Sequence, residues 1–126
     1  MMHLLYVAAG GAIGAGSRHL VGLVTLRLFG PSFPWGTLAV NIVGCFLMGV
    51  LIEVLALKVS APAGVRLFLA TGVLGGFTTF SAFSLDVAIL VERKQALYAG
   101  LYVAASVGLS IAALFLAMFV IRSLIS

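Results

Sequence analysis

The chain has 126 residues, of which 63% are hydrophobic and only 8% charged. With a mean hydropathy of +1.31 it holds too little polar sequence to coat a water-soluble globule, so lipid is the expected solvent. The net charge of +4 comes from seven Lys and Arg residues scattered along the chain; they form no basic patch, which argues against nucleic acid as a partner. The N-terminal stretch MMHLLYVAAGGAIGAGSRH has no positively charged leader, and its apolar character continues through the chain, so it does not read as a signal peptide.

A bilayer core is about 30 Å thick and takes about 20 apolar residues to cross as helix. Four stretches meet that length. The first covers residues 4–26, interrupted by Arg18 and His19. A loop with Pro31 and Pro34 follows, ending on Trp35, a residue suited to the membrane interface. The second span covers 36–57, and Lys58 to Arg66 separates it from the third, over 67–91. Glu92, Arg93 and Lys94 make a tight polar turn before the fourth span, 96–121. The expectation is an all-α membrane protein, with residues 1–126 as a single integral membrane domain. The single cysteine, Cys45, reads as a small core residue, and there is neither metal-ligand spacing nor a disulfide framework.

Four spans put both termini on one face, with Lys58, Arg66 and Arg122. The other face holds Arg27, Arg93 and Lys94, with Arg18 left out because it lies within a span. Three against three gives the positive-inside rule nothing to act on. A chain that inserts both ways can pair with itself as an antiparallel dimer, an inverted repeat built from two copies; the plainer alternative is that one orientation still wins. Small residues four apart recur at Gly10 and Gly14, at Gly72 and Gly76, and at Ala104, Gly108 and Ala112. This spacing lets helix backbones touch where lipid supplies no hydrophobic drive.

Polar residues within the spans say more. An amide at Asn41 must find a partner or line a wet cavity: it serves either as interhelical glue or as a hydrogen-bond donor to an anion. Tyr102, Ser106 and Ser110 fall at i, i+4 and i+8 and form one polar stripe. Each serine can bond its own preceding carbonyl or help line a path. Arg18 calls for an anion, for carbonyl oxygens or for a route to the interface. The carboxylates Glu53, Asp86 and Glu92 all lie toward span ends.

The stretch TGVLGGFTTFSAFS, residues 71–84, is the least helix-like. Gly75 and Gly76 free the backbone, and the threonine hydroxyls compete for carbonyls. The third helix is therefore expected to break near its middle. Non-helical backbone at that depth persists only where it is buried in protein or faces water or an ion, and its carbonyls can hold a small hard cation. Phe80 and Phe83, three apart, share a face of the resumed helix; their positive ring edges can receive an anion weakly, and beside a glycine break this outweighs a plain core role.

The segment GxxGGFTTFSAFS, together with WGTLAVNIVG in the second span, resembles the small bacterial fluoride channels, the Fluc or CrcB family. The likeness covers essentially the whole chain, and the GG-x-TTFS-x-F pattern is highly specific. It implies an antiparallel dual-topology homodimer with two fluoride pores in the bacterial plasma (inner) membrane, with fluoride, membrane lipid and a second copy of itself as partners. It implies that Phe80 and Phe83 line the pore and that Asn41 contacts fluoride, with Thr79 and Ser81 beside them. Tyr102, Ser106 and Ser110 would continue the polar track. The carbonyls of Gly75 and Thr78 from both copies would hold a structural Na⁺ on the dimer axis, and Arg18 would be a vestibule or structural charge. Two positions depart from the pattern: Asp86 stands where related chains often have Glu, and Ala82 where a hydroxyl residue is common.

The expected activity is passive, fluoride-selective conduction. Amide, hydroxyl and aromatic-edge donors in series replace fluoride's water while keeping each site weak enough to leave. In a cell with a negative interior this expels fluoride and protects against its toxicity. The alternative, a small four-helix multidrug or cation transporter, needs a membrane carboxylate that the first span lacks. No nucleophile–base pair suggests an enzyme.

Overall fold

The computed structural model describes residues 1–57 and 60–125, apart from the side chain of Leu57. Lys58, counted in the charge balance, lies outside the described residues. The described chain is all helical: α1 (Met2–Phe29), α2 (Trp35–Leu57), α3 (residues 63–77), α4 (Ser81–Glu92) and α5 (Ala96–Ile125). Within α3 the segment Leu67–Leu74 is π-helical, with α-helical turns on either side.

Three of these stretches are long and apolar enough to cross a membrane: Trp35–Ala56, Ala63–Glu92 and Ala96–Ile125. Helix α1 has 28 residues, about 42 Å of helix at 1.5 Å per residue. It is less apolar, because its glycines and the Arg18–His19 pair dilute it. Large side chains such as Leu20, Leu97, Phe115 and Phe119 are exposed along the helices, the surface of a multi-pass membrane protein rather than of a soluble one.

Helix α1 ends at Gly30, whose N–H still makes the helical bond to the Leu26 carbonyl while its φ of +80° turns the following chain out of the helix, a backbone conformation that glycine enters at little cost. Pro31 cannot continue the helix. The short loop is then held by rings: Phe33 lies 4.7 Å from Trp35 and 5.4 Å edge-on from Tyr102 of α5. Lys94 adopts φ 59° in the turn between α4 and α5.

Two helix pairs organise the molecule, α1 against α3 and α2 against α5. A Cβ on Gly10 would strike the Phe68 carbonyl and Gly72, and one on Gly14 would strike the Val73 carbonyl and the Phe77 amide. The contacts advance in the same direction along both helices, so α1 and α3 run parallel. The second pair shows the same sense. Phe33, just before α2, meets Tyr102; Gly49 meets Leu114 and Ala117; Glu53 meets Arg122. The small stripe Ala104–Gly108–Ala112 is exposed, and a Cβ on Gly108 would meet open space. That face of α5 therefore finds no partner within the described chain; the contacts to α2 use the polar stripe on the other side. A buried cluster of Leu38, Phe83, Leu90, Ala99 and Tyr102 ties α2, α4 and α5 together.

Candidate functional site

Helix α3 does not stop at its glycines. Gly75–Phe77 is still helical, and the chain departs only at Thr78, which is extended at φ −87°, ψ 159°. Residues 78–80 are non-helical and α4 resumes at Ser81. The threonine, rather than the glycine pair, marks the departure. The Thr78 amide and hydroxyl both donate to the Leu74 carbonyl, at 3.1 Å each, which closes the last turn of α3.

Leaving the helix strands backbone groups that need new partners. Asn41 of α2 supplies two. The Thr79 amide donates to Asn41 Oδ1 at 2.8 Å, and Asn41 Nδ2 donates to the Thr79 carbonyl at 3.1 Å. Arg18 supplies a third, its Nε donating to the Gly76 carbonyl at 3.1 Å. The Ala82 amide donates to Thr79 Oγ1 at 3.2 Å, and that hydroxyl also lies 3.2 Å from Ser81 Oγ. In an unbroken helix the Thr79 and Ala82 amides would serve the carbonyls of Gly75 and Thr78. Both amides are spent elsewhere, so these two carbonyls lose their helical donors.

Beside this interval lies a cleft of about 290 Å³, lined by Asn41, Cys45, Thr78, Thr79, Phe80, Phe83, Ser106, Val107, Ser110 and Ile111. Ser106 and Ser110 are 5% and 8% exposed, yet neither Oγ has a hydrogen-bond partner of acceptable geometry. The Phe80 and Phe83 rings are 5.4 Å apart and tilted by 51°. Phe83 is buried, whereas Phe80 is 76% exposed and stands at the open side.

Of the residues singled out from sequence, the cleft gathers Asn41, Thr79, Phe80, Phe83, Ser106 and Ser110, with Thr78 at its edge. Ser81 is exposed and outside its lining. Tyr102 lies behind it, fully buried against Phe83 at 5.2 Å, its hydroxyl donating to Asp86 Oδ2 at 3.0 Å. Arg18 lines a different cleft across the interval, with His19, Thr37, Thr79 and Ala82. Thr79 is common to both. Among the described residues no cluster of His, Cys, Asp or Glu could hold a metal ion; the freed carbonyls are the donors a hard cation would find here.

Two features went unread in the sequence. Cys45, expected in the core, is a half-buried wall residue of the cleft; its i+4 relation to Asn41 was the available signal. Glu53, buried at 4% exposure, is paired with Arg122 Nη2 at 2.6 Å; no local spacing links residues 69 apart.

The model of the family described as CrcB-like protein, Camphor Resistance (CrcB), matches residues 5–118. The chain belongs to the CrcB family. Full-length relatives of this CrcB chain include a Rhizobium etli protein named fluoride-specific ion channel FluC, 57% identical over 125 residues, 99% of this chain and 100% of the relative. A protein of the same name from a Chelativorans species is 57% identical over 125 residues, again 99% and 100% of the two chains. One from Agrobacterium fabrum is 56% identical over 115 residues, 91% of this chain and 92% of the relative.

Proposed function

We propose that this CrcB chain is a fluoride-selective channel that lets fluoride leave the cytoplasm passively and so protects the cell. The names of its relatives support that reading. The observation that carries it is a pair of buried, unpartnered serine hydroxyls facing two phenylalanine rings beside non-helical backbone. A buried hydroxyl without a partner costs roughly 1–3 kcal/mol, which a passing anion would offset. Fluoride is small and strongly hydrated, so its water must be replaced in steps. Ser106, Ser110, the second hydrogen of Asn41 Nδ2 and the ring edges of Phe80 and Phe83 are weak donors in series, with Thr79 and Ser81 toward the mouth and Tyr102 behind. No full positive charge lines this cleft to trap the ion; Arg18 is held at Gly76 on the other side. An inside-negative membrane drives the anion outward.

The active unit in this reading is an antiparallel dimer in the bacterial plasma (inner) membrane, with four crossings per chain, α1 included, the third broken between α3 and α4. The open cleft and the exposed Phe80 leave room for a second copy. The carbonyls of Gly75 and Thr78, relieved of their helical donors, would hold Na⁺ as hard oxygen ligands contributed by both copies, and the ion would supply a fixed positive charge there. The competing reading, a proton-coupled cation transporter, needs an acid in the cleft, and none lines it.

The test is release of fluoride from liposomes containing the purified protein, followed with a fluoride electrode, with valinomycin balancing charge and chloride as control. Rapid fluoride release without chloride is expected. Well-folded protein that releases no fluoride would overturn the reading.

A further inference from the structure

The interval between α3 and α4 deprives a run of neighbouring carbonyls of their helical donors, but not every one is left bare. That of Gly76 is taken by Arg18 and that of Thr79 by Asn41. The carbonyls of Gly75 and Thr78 alternate with them, their own amide donors drawn to Asn41 Oδ1 and to Thr79 Oγ1. We infer that Arg18 is a positioning residue for the sodium site: by capping Gly76 it fixes which neighbouring carbonyls remain free to face the ion. This inference rests on the sodium reading above.

The reach of Arg18 follows from the helix register. Gly10, Gly14 and Arg18 stand at i, i+4 and i+8 on one stripe of α1. The two glycines bring the α3 backbone into contact over successive turns, against Phe68 and Gly72 and then Val73 and Phe77. One turn further on, the same stripe meets the freed Gly76 carbonyl, and there it carries a long side chain that ends in donors. Gly76 sits so close to α1 that a Cβ on it would lie 2.7 Å from the Gly11 carbonyl. The 75–76 pair carries no Cβ to restrict its backbone, since glycine populates conformations closed to other residues. A directional charge-assisted bond to its carbonyl removes that freedom. It also weakens Gly76 as a competing ligand, because the guanidinium charge repels a second cation at the same oxygen. Outer partners of this kind typically change metal affinity by about 10–100-fold when lost.

The experiment measures the Na⁺ dependence of dimer assembly and thermal stability in detergent, with Na⁺ titrated against K⁺ at constant ionic strength, for wild type, R18Q and R18K. For R18Q the half-saturating Na⁺ concentration is expected to rise by about tenfold or more, with narrowed discrimination between Na⁺ and K⁺. R18K, which keeps a donor and the charge but loses the planar fork, is expected to fall between the two. A merely structural loss would lower stability equally in both salts and leave the Na⁺ midpoint in place; that result overturns the inference, as does tighter Na⁺ binding by R18Q. Should R18Q fail to assemble, R18K decides: an unchanged midpoint and Na⁺/K⁺ discrimination overturn it. A wild-type protein indifferent to Na⁺ overturns the sodium reading itself, and this inference with it.

Discussion

Asn41 presents one carboxamide to both backbone groups of Thr79, which is the interhelical role the sequence allowed it; the proposed anion contact would draw on what that pairing leaves over. As glue it holds the non-helical interval; as a donor it has one Nδ2 hydrogen left for the cleft. Asn41→Asp keeps the acceptor for the Thr79 amide but sets a carboxylate oxygen against the Thr79 carbonyl and a negative charge in an anion path. Fluoride release from liposomes should fall by about tenfold or more, the equivalent of about 1.4 kcal/mol; wild-type flux in a folded N41D dimer would remove Asn41 from the path. Cys45 offers an independent probe of the same wall. Because its thiol lines the cleft, a small mercurial such as methylmercury should block fluoride release from wild-type protein and leave Cys45→Ser conducting. Equal sensitivity in both would place the thiol off the path. The amide and the serine stripe were visible in the sequence because polar groups in an apolar span stand out, and the phenylalanines because they follow a glycine pair among hydroxyl residues. The partners of Asn41 and Arg18 were not, since each bond crosses between helices and depends on where the backbone leaves helical geometry.

At the scale of the helices, glycines divide by what faces them. Gly14 abuts α3 backbone, while Gly16, two residues on, has open space. Gly14→Ala should therefore destabilise the folded protein by roughly 1–3 kcal/mol through overpacking. Gly16→Ala should be neutral or stabilising by up to about 1 kcal/mol, through helix propensity. Thermal unfolding in detergent compares the two; equal effects would mean the α1–α3 contact is looser than drawn. The sequence pattern of small residues pointed to close packing at three places. It held for Gly10, Gly14, Gly72 and Gly76, while the stripe on α5 stays bare in the single chain. Spacing reports that a face can pack closely, not that a partner stands opposite. The interval after α3 teaches a related lesson: glycine pairs permit a break, but Thr78, whose hydroxyl and amide share the Leu74 carbonyl, is where it falls. Between α2 and α5, Glu53 is buried whereas Arg122 is largely exposed. Arg122→Ala strands the carboxylate and should lower the melting temperature more than Glu53→Gln, which removes the buried charge while keeping its shape.

For the whole molecule the question is how two copies sit in one membrane. Parallel α1 and α3, and parallel α2 and α5, place the start of α1, the end of α2 and the end of α5 at one side. With no excess of basic residues on either face, charge alone sets no preferred orientation. If the active unit is antiparallel, orientation and activity must be coupled. Adding two lysines to the loop near Arg93, or in a second variant to the loop near Arg66, should drive each chain into a single and opposite orientation. Each variant expressed by itself should fail to protect cells against fluoride, because every copy then faces one way. Co-expression of the two should restore protection, since opposite copies can pair again. Full protection by either biased variant alone would exclude an obligatory antiparallel pair, whatever the conduction of fluoride through a single cleft.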